Sequence, residues 1–158
     1  MSNRSQRLVN TAYHEAGHAV VMLHFGHPFE TVWVSRNPDA VWAENSGNLI
    51  GAVMPIPFTV DESEHEKFKQ EDAIVNASGK QAEMLAIGFD MGGSIGDVMA
   101  NFLGDADEQS EAKAKAILSL PTINAGLHAL AKALMERYEL TFPEVERIIL
   151  DAQREVTL

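Results

Sequence analysis

Residues 13–21 read Tyr-His-Glu-Ala-Gly-His-Ala-Val-Val, and they decide how the rest of the chain is interpreted. They lie in a stretch, 11–25, where small and apolar residues recur at helical spacing: Ala12, Ala16, Ala19, Val20 and Leu23. Asn10 or Thr11 can cap the start of this helix, and Gly26 is a typical stop. We therefore predict that the His-Glu-Ala-Gly-His segment lies inside an α-helix.

The two histidines of this segment are spaced to bind one metal ion. Residues four apart project from the same face of a helix, so the imidazoles of His14 and His18 can reach a common point. Glu15 lies about 100° further round the helix, where its carboxylate can act as a general base beside the ligands. This HExxH pattern predicts a zinc (Zn2+) cofactor and a hydrolase that cleaves peptide bonds, with Glu15 as the catalytic residue.

A catalytic zinc usually has three protein ligands and keeps a fourth position for water. The sequence contains no cysteine, so the third ligand must be His, Asp or Glu. His24 follows His14 by ten residues, but Val21 stands where the HExxHxxGxxH pattern has the glycine that turns the chain. Without that turn the helix continues, and we expect His24 at its surface, facing away from His18.

Length and charge limit the remaining function classes. A chain of 158 residues is expected to form one domain, 1–158. Binding to nucleic acid requires a clustered basic face, and the net charge of −11 argues against one. No apolar run approaches the roughly 20 residues of a membrane span, and the first ten residues do not read as a secretory signal. We expect a cytoplasmic protein that binds neither nucleic acid nor membrane.

The pattern of the whole chain predicts an α+β fold that is mainly helical. Two β-branched or alternating runs predict strands at 30–35 and 48–54, separated by a polar loop with Pro38 and Gly47. Beyond them, helical periodicity predicts four more helices, at 66–87, 105–119, 122–138 and 142–156. The last helix has a capping box at 141–144. The HExxH helix would thus pack among about five helices and a small sheet.

Several segments together resemble the peptidase domain of the FtsH proteases. The HExxH helix is similar to the zinc helix of that family, and further similar segments are 31–34, 49–55, 78–85 and 127–149. The segment 78–85, Ser-Gly-Lys-Gln-Ala-Glu-Met-Leu, resembles the family's GGRAAEEL helix, although Lys80 and Met84 depart from it. The resemblance covers about two-thirds of the chain in pieces, and it implies an FtsH-type fold and a zinc peptidase.

The resemblance also implies roles for residues outside the HExxH helix. The family's third ligand is an aspartate at the start of a downstream helix; Asp105 fits the following pattern of small and apolar residues better than Asp107 or Asp97. Glu83 matches an acid that would accept a proton from a ligand imidazole. An exposed strand edge would receive the substrate, and it corresponds here to Ile50, Gly51, Ala52 and Val53.

FtsH proteases join this peptidase to a membrane segment and an ATPase, whereas this sequence contains no P-loop. We therefore expect cleavage of peptides or unfolded protein segments without ATP. A separate ATPase partner and a homo-oligomer both stay open. The alternative is a non-catalytic relative that binds metal and peptide in a regulatory role; retention of Glu15 favours the enzyme, because a structural zinc needs no base.

Overall fold

The first helix, α1 (Gln6–Phe25), forms the centre of the structure. A computed structural model of the chain describes residues 5–44, 49–91 and 107–157. The helix ends at Gly26 as predicted, in the left-handed conformation with φ 76°. Its predicted start at Asn10 or Thr11 is wrong, because the Oγ of Ser5 already accepts a hydrogen bond from the backbone N–H of Leu8 (3.0 Å).

Helix α1 packs on one side against a long helix that follows a short 3-10 turn, Glu62–Glu64. We predicted this second long helix over 66–87, and it spans His65–Ala86. The two helices approach closely at Gly17, where an added Cβ would lie 2.6 Å from both the Cβ of Ala82 and the carbonyl oxygen of Ser78. A side chain at Gly17 would therefore separate the two helices.

A helix in the segment between the first two strands was not predicted. This helix, α2 (Pro38–Glu44), occupies part of the expected polar loop. Pro38 was interpreted as a loop residue, but proline is also well suited to the first turn of a helix. The Oδ1 of Asn37 accepts a hydrogen bond from the backbone N–H of Ala40 (3.3 Å) and so caps that turn. The long helix His65–Ala86 is therefore α3.

Three helices form the C-terminal part, and all three agree with the predicted periodicity. They are α4 (Glu108–Leu118), α5 (Pro121–Arg137) and α6 (Phe142–Thr157). Helix α4 packs against α3, α5 packs against α1, and α6 packs against α5. At the start of α6, the backbone N–H of Glu144 approaches the Oγ1 of Thr141 at 3.5 Å, as expected for the predicted capping box.

A three-stranded antiparallel sheet covers α1. The strands are β1 (Phe29–Val34), β2 (Gly51–Pro55) and β3 (Glu139–Thr141), in the order β2-β1-β3. Val32 in the central strand pairs with Val53 on one side and with Leu140 on the other. We did not predict β3, because its three residues are too few to show alternation and it is defined by pairing with β1.

The observed architecture confirms the predicted α+β class, with six α-helices and three strands in the described parts of the chain. The hydrophobic core combines residues of α1, α4, α5 and the sheet, and its largest fully buried apolar side chains are Met22, Phe29, Leu118, Leu127, Leu130, Leu134 and Leu140. Within the described ranges, every helix is too short or too polar to cross a membrane.

Candidate metal centre

His14 and His18 face a common point in the interior of the protein. They lie one turn apart on α1, and only 2% and 1% of their surfaces are exposed. Their Nε2 atoms are 3.1 Å apart, with the two rings nearly perpendicular (85°). This convergence follows from the four-residue spacing, which stacks the two side chains on the same face of the helix.

The other ring nitrogen of each histidine is held by α3. The Nδ1 of His14 lies 2.7 Å from the Oε1 of Glu83, and the Nδ1 of His18 lies 2.7 Å from the backbone carbonyl oxygen of Val75. A carbonyl and a carboxylate oxygen only accept hydrogen bonds, so both Nδ1 atoms carry the proton. In a neutral imidazole with its proton on Nδ1, the Nε2 atom carries the lone pair that can bind a metal.

The absence of a side chain at Gly79 allows α3 to pack directly against these two nitrogens. A Cβ at this position would lie 2.6 Å from the Nε2 of His18 and 2.7 Å from the Nε2 and Cε1 of His14. Glycine in the middle of a helix costs about 1 kcal/mol relative to alanine. Here the cost has a steric reason, because any other side chain would clash with both imidazole rings.

Glu83 is itself fixed by several donors, and those other than His14 were not predicted. Its Oε2 accepts hydrogen bonds from the Nδ2 of Asn10 (2.7 Å) and from the backbone N–H of Met91 (3.1 Å). Asn10 is 2% exposed and also donates to the carbonyl oxygen of Phe89 (3.1 Å). We had interpreted Asn10 as a helix cap; its position four residues before His14, on the same helical face, was the signal for this role.

Glu15 is buried beside the histidines, at the boundary between α1 and the sheet. It is 5% exposed. A Cβ added to Gly51, the first residue of β2, would lie 2.9 Å from the Cγ of Glu15. The start of β2 therefore packs directly on the Glu15 side chain. This side chain lies between α1 and the edge strand of the sheet.

The residues predicted for the third ligand have different outcomes. Asp105 and Asp97 lie outside the described residues. Asp107 is exposed and caps α4, where a hydrogen bond from the backbone N–H of Ser110 (2.7 Å) holds the pKa of the carboxyl below its ordinary value. Among the residues that the structure describes, no third His, Asp or Glu forms a possible metal-binding cluster with the two histidines. His24 is exposed at the end of α1, as expected.

The predicted substrate strand corresponds to the edge strand of the described sheet. Gly51, Ala52 and Val53 are buried and pair with β1, whereas Ile50 lies in a bend one residue before β2. The carbonyl oxygen of Ile50 accepts a hydrogen bond from the backbone N–H of Ser35 (2.7 Å). Within the described ranges β2 pairs only with β1, so it is an edge strand of the described sheet.

No protein-family model matches the sequence, and no curated protein matches it. The proposed function is therefore based on the local arrangement of the described residues. That arrangement consists of two convergent imidazoles, a buried glutamate next to them, and a strand edge beside the glutamate.

Proposed function

We propose that this chain is a zinc-dependent peptidase of FtsH type that cleaves peptides or unfolded protein segments. The observation that carries the proposal is the 3.1 Å approach of the Nε2 atoms of His14 and His18 while both Nδ1 atoms are engaged by acceptors. Two nitrogen lone pairs directed at one point repel each other unless a proton or a cation lies between them. Neutral imidazole is the protonation state that metal ions bind.

The donor set fits zinc. Imidazole nitrogen is a preferred zinc ligand, and the carboxylate of Glu83 behind His14 is the usual partner of a metal-binding histidine. We propose Asp105 as the third ligand. The chemistry that zinc supplies when bound is a lowered pKa of an attacking water molecule and polarisation of the scissile carbonyl.

Glu15 is the proposed catalytic residue. It follows His14 directly on α1, so its carboxylate lies beside the imidazole pair and cannot share their helical face. From there it can take a proton from the attacking water and deliver it to the leaving amine. Burial against Gly51 restricts the side chain and limits access of bulk solvent, both of which favour a directed proton transfer.

We propose that the substrate binds as an extended strand along the outer edge of β2. The start of β2 packs on Glu15, so a peptide paired with this edge would pass close to the proposed base. Backbone hydrogen bonds to an edge strand give affinity with little dependence on sequence. Such pairing requires an extended chain, which is why the proposed substrates are peptides or unfolded segments; a separate ATPase is the proposed means of unfolding others.

The test combines zinc analysis with an assay on unfolded casein. His14→Ala should lose zinc, whereas Glu15→Gln should keep zinc and lose about 10²- to 10⁴-fold in turnover. His24→Ala is the matched control, because this histidine lies on the same helix and is exposed. Turnover that survives Glu15→Gln would refute the catalytic proposal. Full zinc content in the native chain without any turnover would favour the alternative, a metal-stabilised peptide-binding domain.

A further inference from the structure

A pocket with a volume of about 320 Å³ lies at the C-terminal end of α1. One of its walls is Phe25, seven residues after His18 and therefore about 10 Å further along the helix axis. The lining of the pocket includes three aromatic rings and three carboxylates: Phe25, Phe58, Phe68, Asp61, Glu64 and Glu71. None of the described residues that line it is Lys or Arg.

Aromatic rings and carboxylates together favour an organic cation. The rings of Phe58 and Phe68 meet edge to face, with centroids 5.1 Å apart, and both residues line the pocket. A ring face attracts a positive charge and also packs against an alkyl chain. The three carboxylates add a negative potential that no basic side chain among the lining residues balances.

His27 forms a buried wall of this pocket and provides an independent indication of a ligand. It is 5% exposed, and its Nδ1 lies 3.8 Å from the Oδ1 of Asp72. Its Nε2 lies 3.6 Å from the Oε1 of Glu71, which is beyond hydrogen-bond distance. Within the described ranges, this buried nitrogen has no hydrogen-bond partner.

The charge state of His27 strengthens this indication. Burial lowers the pKa of His27, and the nearby Glu71 only partly opposes the shift, so the imidazole is neutral at neutral pH. A neutral ring does not balance the charge of Glu71. If the ring proton is on Nδ1, toward Asp72, then Nε2 and the Glu71 carboxylate are two acceptors that face each other. A ligand that carries several N–H donors can donate hydrogen bonds to both of these acceptors.

We propose that this pocket binds the basic side chain of a substrate peptide, with its ammonium or guanidinium group near Glu71 and its alkyl part against Phe68. The pocket, with a volume of about 320 Å³, is large enough for one such side chain. The assignment to a peptide rests on the proposed peptidase function. The binding of the cation itself does not.

The path of the chain connects the pocket to the proposed substrate strand. β2 starts beside Glu15 at Gly51, and the residues that follow its end lead to Phe58 in the pocket wall. The backbone N–H of Ile56 donates to the carbonyl oxygen of Pro28 (3.2 Å), which holds this connection next to His27. A peptide extended along β2 from Glu15 would reach the pocket several residues from the cleaved bond, because each residue spans about 3.3 Å.

The first experiment measures binding without catalysis. The full chain is titrated with Nα-acetyl-arginine amide and with the citrulline analogue, which has nearly the same shape but no charge, and NMR follows the backbone amides of 25–27 and 58–71. We expect the arginine compound to bind at least about tenfold more tightly than the citrulline analogue. Glu71→Gln should weaken the binding of the arginine compound about tenfold. Glu136→Gln on the exposed face of α5 is the control. Equal binding of the two compounds overturns the proposal.

The second experiment separates the pocket from the peptidase. Peptides with a single arginine at successive positions are compared with their citrulline counterparts for cleavage by the native chain. We expect one position to raise kcat/KM about tenfold, and Glu71→Gln to reduce this preference. Arginine amide binding without any peptide cleavage would refute the peptidase while supporting the cation pocket. Cleavage with no arginine preference, or binding of spermidine but not of arginine amide, overturns the assignment to a substrate side chain.

Discussion

The Nδ1 of His14 on α1 and the Oε1 of Glu83 on α3 are 2.7 Å apart, and both side chains are almost completely buried. Glu83 is in turn fixed by Asn10 and by the backbone of Met91. The orientation of a proposed metal ligand on one helix is therefore set by a carboxylate on another. This makes the packing of α1 against α3 part of the site, and it leads to the first two predictions.

Glu83→Gln should weaken zinc binding about 10- to 100-fold, because the amide has only one oxygen to replace two acceptor oxygens and adds donors next to Asn10. Competition with a chromogenic chelator measures the affinity. Glu66→Gln provides the control, since Glu66 is exposed near the start of the same helix. An affinity equal to that of the native chain would contradict the proposed support of His14 by Glu83.

Gly79→Ala should abolish or strongly reduce zinc binding, because the new methyl group would lie 2.6 to 2.7 Å from the ring atoms of His14 and His18. Alanine is the better helix former, so intrinsic helix propensity alone would predict a gain of about 1 kcal/mol in stability. Zinc content and thermal unfolding of the metal-free protein separate the two effects.

The matched control for that variant is Gly126→Ala. Gly126 lies inside α5, and an added Cβ there would meet the Cγ2 of Ile149 at 3.2 Å, with its three nearest neighbours all atoms of Ile149. Zinc binding that survives Gly79→Ala as fully as Gly126→Ala would show that the space in front of the imidazoles is not a metal site.

Ser5→Ala should lower the free energy of unfolding by about 1 kcal/mol, because it removes the side-chain acceptor for the N–H of Leu8 at the start of α1. Urea denaturation measures the change. Ser63→Ala is a suitable comparison, since Ser63 is exposed in the 3-10 turn. If both variants are equally stable, α1 does not depend on Ser5 as its cap.

Sequence patterns predicted those parts of the fold that depend on local periodicity. The helical repeats of α1, α3, α5 and α6 are long enough to show a buried face. Their predicted bounds agree closely with the observed ones, except at the start of α1. α2 and β3 were missed for two physical reasons. Proline both breaks and starts helices, so Pro38 was ambiguous, and a three-residue strand is created by its partner β1 rather than by its own pattern.

The candidate site, too, was predictable only where it depends on relationships within one helix. The four-residue spacing predicted that His14 and His18 share a face, because that relationship lies within one helix. The roles of Asn10 and Gly79 depend on how α3 crosses α1, and no pattern within either segment determines that crossing. The pocket at His27 likewise combines residues from α1, the segment after β2 and α3, so it was not evident before the chain was folded.

Asp72 on α3 should make the stability of the protein fall as the pH rises. It is 3% exposed, and burial together with the charge of Glu71 raises its pKa from 3.8 to about 6. Between these two values the folded state binds more protons than the unfolded state, so the free energy of unfolding decreases with increasing pH. The stabilising contribution is therefore complete below about pH 4 and lost above about pH 6.

Asp72→Asn removes this titration and leaves His27 in place. Relative to the native chain, the variant should gain up to about 3 kcal/mol in free energy of unfolding between about pH 3.5 and about pH 7.5, since each pKa unit corresponds to about 1.4 kcal/mol. Urea denaturation at the two pH values measures the difference. Asp151→Asn on the exposed side of α6 should show no such change. A difference between variant and native chain that is independent of pH would mean that the pKa of Asp72 is the same in the folded and unfolded states.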